Sequence, residues 1–407
     1  MSYNKFQDIS SFNSLPENWE LKNFKDVFTD VSSGNVKINK SEYLPEGSFP
    51  IIDQGKEMIA GFTNKAETLI KSDPPFIIFG DHTRILKYFD RKFVLGADGV
   101  KVLKAKSDYY NTNYLYYFLR NIKIPDTGYN RHFKFLKDLV VPIPPLEIQN
   151  KIVEALTEAE NILIKRKTII SKLDELIHST FIDMFGDPVI NSKQWEKHTL
   201  QSVSSGGKYA IKAGPFGSAL KKEFYVAQGY KIYGQEQVIR NDFEYGDYYI
   251  DDAKFKELQA YEIKPGDILI SLVGTFGKVS VVPDSFQPGI INPRLMKISL
   301  NAQKIIPEYF KCMMENESFQ NRLKHNSHGG TMGIINVGIM KSIEIPIPPL
   351  KLQQKFKSLI WEINKTKEIN QLQLNNIDLF FNSLLHQAFT GRLKLKENQV
   401  NEHAIKC

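Results

Sequence analysis

The tetrad Asp73-Pro74-Pro75-Phe76 sets an acidic side chain beside proline carbonyls, an arrangement able to hold an exocyclic amine for methyl transfer. That chemistry also needs an F-x-G-x-G loop for the methyl donor and the alternating strands and helices of a doubly wound sheet. Neither accompanies the tetrad, so it reads as a turn entering a strand. In 329–342 glycines precede a Lys-Ser pair, but two residues separate Gly338 from Lys341. The G-x-x-x-x-G-K-[ST] spacing of a phosphate loop fails, and a glycine turn before a strand is expected instead. His325 and His328 have no cysteine or carboxylate beside them, Cys312 and Cys407 form no C-x-x-C, and no ordered acidic-lysine nuclease cluster occurs. Neither a metal centre nor a disulfide framework is expected.

What remains is a recurring mixture of cations, aromatics and glycines. "GDHTRILKYFDRK" interleaves basic and aromatic residues on an expected hairpin, and "GYNRHFKF" sets Tyr129, Asn130, Arg131 and His132 on a glycine-led loop. Lys and Arg total 53 against 46 Asp and Glu, a formal net charge of +7, which permits a polyanionic partner without demanding one. The cations best placed for phosphates in the first half are Lys37, Lys40, Lys56, Arg84, Lys87, Arg91, Arg131, His132 and Lys134. In the second half they are Lys208, Lys212, Lys221, Lys222, Lys278, Arg294, Arg322, Lys324 and His325. Any one of them taken singly is an ordinary solvated charge; the set carries the expectation.

The elements that must position these residues come in two copies. "PIPPLEIQNKIVEAL" begins at Pro142 and "PIPPLKLQQKFKSLI" at Pro346, half of the 407-residue chain apart. The prolines fix φ and forbid helix, and a helical period follows at once. In the first copy the apolar stripe is Ile148, Ile152, Leu156, Ala159, Leu163, Ile170, Leu173, Ile177, Phe181 and Met184. In the second it is Leu352, Phe356, Leu359, Ile363, Ile377, Phe381, Leu384 and Ala388, with a polar middle, "NKTKEINQ". Each stripe needs a partner, and the other copy supplies it as an antiparallel, coiled-coil-like spacer. "FGDP" closes the first helix and "FTGRL" the second. The intervals between are rich in short β-branched runs such as "PFIIFG", "RKFVLG", "DILISLVG" and "KVSVVP", and each opens on a Trp-containing stretch, at Trp19 and Trp195. The expected class is α+β: a mainly-β domain at 1–141, a helix at 142–188, a second β domain at 189–345, a second helix at 346–393 and a polar tail at 394–407. No run approaches the roughly 18 apolar residues of a membrane span and the N-terminus has no signal-like apolar core, so a cytoplasmic location is expected.

Together with "IKAGPFGSALKKEFY", "GDILISLVGTFGKVSVVP" and "FGDHTRILKYFDRKFVLGADGVKVL", these motifs and their order resemble the specificity subunits of type I DNA restriction-modification systems over nearly the whole chain. The second copy departs in carrying Lys351 and Leu352 where the first has Glu147 and Ile148. The resemblance implies two target-recognition domains, each reading one half of a split, asymmetric duplex site. It implies two helices that hold them apart and dock two methyltransferase subunits, with Ile148, Ile152, Leu156, Leu163, Leu173, Ile177, Leu352, Phe356, Ile363, Ile377 and Leu384 on the helical faces. It further implies that this chain is not catalytic, and that S-adenosylmethionine, ATP and magnesium belong to the methyltransferase and translocase-nuclease partners. The alternatives are a free-standing amino-methyltransferase built on Asp73 and a coiled-coil scaffold with no nucleic-acid role.

Overall fold

The computed structural model describes residues 7, 9–96, 98–272, 277–326 and 336–394. The class is α+β, and the chain divides into two compact units. One is Met1–Lys167 with Leu372–Cys407, the other Thr168–Gln371, so each long helix contributes one half to each unit.

In the first unit, strands Phe28–Asp30, Val100–Ala105, Phe76–Gly80 and Leu86–Phe89 lie side by side in that order, all antiparallel. A second sheet runs Gly61–Thr63, Phe49–Ile52, Val94–Leu95, with its last pair parallel. A third pairs Glu20–Asn23 with Val140–Ile143, tying the start of the domain to the segment that enters the long helix. Phe76–Gly80 is buried along its whole length, as a central strand covered on both faces must be.

The second unit repeats this plan. Ile211–Ala213, Leu295–Ile298, Ile268–Ser271 and Val279–Val281 form the antiparallel four-stranded sheet. Tyr249–Ile250, Tyr230–Tyr233 and Gly289–Ile291 form the three-stranded one, again with a parallel last pair. Lys197–Thr199 pairs with Glu344–Pro346 as the third.

The repeated proline motif has one structural job in both copies. The buried Gln149 side chain donates to Pro144 O (2.9 Å) and Tyr109 O (3.0 Å) and accepts from Asn111 N (2.8 Å). The buried Gln353 donates to Pro348 O (2.8 Å) and Lys304 O (3.1 Å) and accepts from Ile306 N (2.8 Å). Beside them Tyr114 and Tyr309 donate to the carbonyls of Pro142 (2.6 Å) and Pro346 (2.8 Å). The glutamine satisfies backbone groups that a buried, proline-rich helix entry leaves without partners. The Glu147 and Lys351 difference does not alter this, because neither side chain takes part.

The long helices are Leu146–Phe185 and Leu350–Phe389, each of 40 residues. In the first unit Ile152, Leu156, Ala159 and Leu163 share one apolar core with Phe381, Leu385, Ala388 and Phe389 and with the short helix Thr112–Asn121; Ile148, Ile377 and Leu384 pack at its margin. Arg120, from that short helix, pairs with Glu160 and lies over the Phe381 ring. In the second unit Phe181 and Phe185 meet Phe356 at 5.8 and 5.2 Å between ring centroids, with Ile177 and Leu352 alongside. Further along, Asp174 pairs with Lys367, so residue numbers fall on one helix as they rise on the other and the pair is antiparallel.

The apolar stripe is not continuous. Leu173 and Ile363 are only half-buried and belong to neither core, and Leu359 is exposed while Ile360 takes the inward place. Both three- and four-residue steps from Phe356 reach an apolar residue, and contact with the β domain, not the period, selects the second. Gly186 (φ +75°) follows the first helix and Gly391 (φ +69°) the second. Among the described residues no helix is long and apolar enough to cross a membrane. His328 and the first seven residues of the glycine segment at 329–342 lie outside the described residues. From Asn336, whose side chain accepts from Ile339 N at 2.9 Å, the chain forms a short helix, Val337–Ser342, before the strand Glu344–Pro346.

Candidate nucleic-acid interface

The parallel pairing of Phe49–Ile52 with Val94–Leu95 delivers the chain after both strands to one end of the first unit, where the exit turn of Phe76–Gly80 also arrives. Gln54 ties these loops together. Its carbonyl accepts from the Thr83 hydroxyl (2.6 Å), its Oε1 from His82 N (3.2 Å), and its Nε2 donates to Asp98 O (3.1 Å). Gly99 (φ +88°) closes over it, since a Cβ there would lie 2.8 Å from the Gln54 amide and 2.9 Å from the His82 ring.

Around this knot stand four of the expected cations. Lys37 reaches Asp98 at 2.6 Å, and its ammonium holds that carboxyl below the ordinary carboxylate range, with the exposed Arg131 adding to the effect. Arg84, at φ +61°, pairs with Asp126 at 2.7 Å. Asp126 also accepts from Gly128 N at 3.0 Å, bracing the loop that carries Tyr129. The Tyr129 ring lies flat on His82, with centroids 4.8 Å apart and 8° between planes, and is 89% exposed. The His82 Nδ1 is buried with no hydrogen-bond partner among the described residues. Lys56 is exposed on the loop just after Gln54.

Of the remaining first-half residues, two lie inside the domain. Lys87 is buried with its Nζ on the carbonyls of Asp53 (2.9 Å) and Glu57, and burial pushes its pKa down. His132 is fully buried, its Nδ1 3.0 Å from Asp81 O and its Nε2 3.3 Å from the Thr127 hydroxyl, so it anchors the Tyr129 loop from below. An expectation of phosphate contact by either is therefore corrected: both are closed off from solvent by their own domain. Arg91 sits at the opposite end of the hairpin, beside Asp90 and over Phe89. Asp73 lies at that far end too, exposed and paired with Lys92 at 2.9 Å, which lowers its pKa. Lys92 also donates to Ser72 O (2.8 Å), so the carboxylate stands exposed at a turn that enters the strand Phe76–Gly80. Lys40 and Lys134 are exposed, the latter over the Phe135 ring.

Strand register maps the same edge onto the second unit: Ile51 and Ile52 correspond to Ile232 and Tyr233, which puts Gln235 where Gln54 stands. Gln235 donates to the Ser271 hydroxyl at 2.7 Å. It lines a cavity of about 430 Å³ with Lys222, Tyr225, Tyr245, Tyr248 and Arg294. The Arg294 amide donates to the Asn292 side chain (2.9 Å), and Gly214 packs so closely on Asn292 O that a Cβ would lie 1.9 Å from it. Two residues beyond Gly214, Phe216 is 86% exposed. Lys278 is exposed on the adjoining turn, its carbonyl accepting from Ser271 N at 3.0 Å.

Lys212 is half-buried, 5.0 Å from the Tyr209 and Tyr261 rings, and Lys208 covers Tyr209. Lys221 pairs with Glu223 at 3.4 Å. Arg322 is half-buried and donates to Glu344 O (3.3 Å), beside the strand that leads to the long helix; Lys324 and His325 are exposed on the helix Glu317–Asn326. The edge therefore gathers Lys37, Lys56, Arg84 and Arg131 in one unit and Lys222, Lys278 and Arg294 in the other. Gln54, Gln235, Tyr225, Tyr248 and Asn292 were not legible as members, although a glutamine two residues beyond a buried strand end is a signal common to both units.

An arrangement of fixed cations around amide and aromatic side chains suits phosphate contact with base-edge readout. Comparison with known proteins agrees. The profile of the type I restriction modification DNA specificity domain matches residues 16–175 and again 193–378. The type I restriction enzyme MjaVIII specificity subunit of Methanocaldococcus jannaschii is 20% identical, over 97% of this chain and 98% of that protein. A putative MjaX specificity subunit of the same organism is 22% identical, over 94% and 95%. The crystal structure of a type I restriction-modification S subunit from M. genitalium shares the fold, with a TM-score of 0.54 at 15% identity over 91% of this chain and 96% of that one. With one profile matched twice on two units of one plan, the chain belongs to the type I restriction-modification DNA specificity family and serves in recognition of a DNA sequence.

Proposed function

We propose that the two cationic edges divide one duplex site between them, each reading one half of a bipartite, asymmetric sequence for a complex whose catalysis resides on other chains. The observation that carries this is the identity of strand order and register in the two units, with a glutamine, cations and exposed aromatics at the same edge of each. In this reading the methyl donor, ATP and magnesium are held by methyltransferase and translocase-nuclease partners. The second long helix supports the docking of such a partner, because it leaves Trp361 (57%), Leu372 (65%), Leu379 (70%) and Phe380 (60%) exposed, a density of uncovered apolar side chains that free surfaces avoid.

The test is a domain exchange. Residues 15–141 are replaced by the matching domain of a related subunit, and the methylated motif of the host is sequenced. One half of the motif changes and the other stays; a change in both halves, or in neither, refutes the division.

A further inference from the structure

Within the first edge one side chain stands apart. Tyr129 is 89% exposed, yet its ring is held in one orientation. An exposed ring normally samples several rotamers in water, and holding it in one costs conformational entropy. Here it lies on the His82 imidazole, and the chain on both sides of the stack is tied down: His82 N by the Gln54 amide, and the Tyr129 loop by Asp126, by Asn130, whose side chain donates to Thr127 O, and by the buried His132 on Asp81 O and Thr127. The pedestal also carries a cost, since the His82 Nδ1 is buried without a partner among the described residues. A stack serving stability alone would not need that. Lys37, Arg84 and Arg131 stand on the neighbouring loops of the same edge, the first two held by Asp98 and Asp126, and are suited to backbone phosphates.

We infer that Tyr129 is a specificity-determining residue, its pre-ordered ring contacting a base of the half-site read by the first unit, with His82 as its positioning residue. The inference rests on the duplex-reading function proposed above. Pre-ordering matters because immobilising a free tyrosine on binding would offset much of what the contact contributes. The charged neighbours supply affinity without sequence preference, while the ring supplies the preference.

The test uses the full-length chain in complex with its methyltransferase subunit and a duplex pool randomised over its central positions, with bound duplexes sequenced. Tyr129→Ala is expected to lose roughly five- to hundredfold discrimination at one or two positions of one half-site while leaving the other half-site unchanged. Retention of the unselected pool at low salt should stay near wild type, because the phosphate contacts remain. Tyr129→Phe keeps the wild-type motif, and His82→Ala blurs the same positions as Tyr129→Ala but less. Tyr109→Ala removes another exposed ring (79%) and changes nothing. An unaltered motif with Tyr129→Ala, or an equal loss in both half-sites, overturns the inference. If the wild-type complex retains no duplex at all, the DNA reading itself falls and this inference with it.

Discussion

At the scale of single residues, a basic side chain on this fold does one of two jobs, and burial decides which. Lys87 donates to two carbonyls inside the first unit, whereas Arg131 stands in solvent beside Asp98. Lys87→Ala takes the ammonium donor from Asp53 O and Glu57 O and leaves a gap where the buried side chain stood, and the expected cost is about 2–4 kcal/mol of stability. Arg131→Ala should leave the melting temperature unchanged and weaken retention of any duplex, with a shallower salt dependence. Thermal melts and salt titrations of both variants check this; a stable Lys87→Ala would mean that the two carbonyls find other donors. The sign of the pH effect follows from burial. The folded pKa of Lys87 lies below its ordinary 10.5, so the unfolded chain binds more protons in the window between the two values. The wild type should therefore gain stability relative to Lys87→Met as pH rises through that window.

Among the elements, the helix pair is held at two places and is polar between them. Phe356 is buried against Phe181 and Phe185, while Leu173 is half-buried next to the Asp174–Lys367 pair. The middle also contains Asn370, buried with its Nδ2 on Thr366 O at 2.7 Å. Phe356→Ala should cost about 3–5 kcal/mol through the cavity it leaves, and should abolish co-purification with the methyltransferase subunit. Leu173→Asp should cost far less, because water reaches the site and Lys367 is near. Denaturant midpoints of the two variants decide the matter, and equal damage would mean that the polar middle closes more tightly than its exposure indicates. The same division explains why the apolar stripe does not make a continuous seam at Leu173: a helical period can be sustained in sequence where no neighbour arrives to cover it.

For the whole molecule, the boundary between the compact units falls at Lys167 on one long helix and Gln371 on the other, both in the polar middle. An insertion of four residues after Lys167 alone would break the antiparallel match, so it must be paired with four after Gln371. Each helix then lengthens by about 6 Å, and helical phase shifts by little more than a tenth of a turn. The methylated motif should keep both halves and gain a longer unspecified gap. Methylome sequencing reads this directly, and an unchanged gap in an active complex would remove the idea that helix length sets the spacing.

By itself the sequence determined what is local or periodic. Proline fixes backbone angles wherever it stands, so the two PIPP segments and the helices after them were legible, as were the duplicated order of elements and the β character of the domains. Tertiary structure alone decided which charges face outward. Along Leu86–Phe89 burial alternates, and whether Lys87 lies on the inner or outer face depends on the distant loop that covers it. It also decided the site. Gln54, His82, Asp98 and Tyr129 are far apart in sequence and meet only because a parallel strand pair returns the chain to the same end of the sheet, a contact that no local propensity encodes.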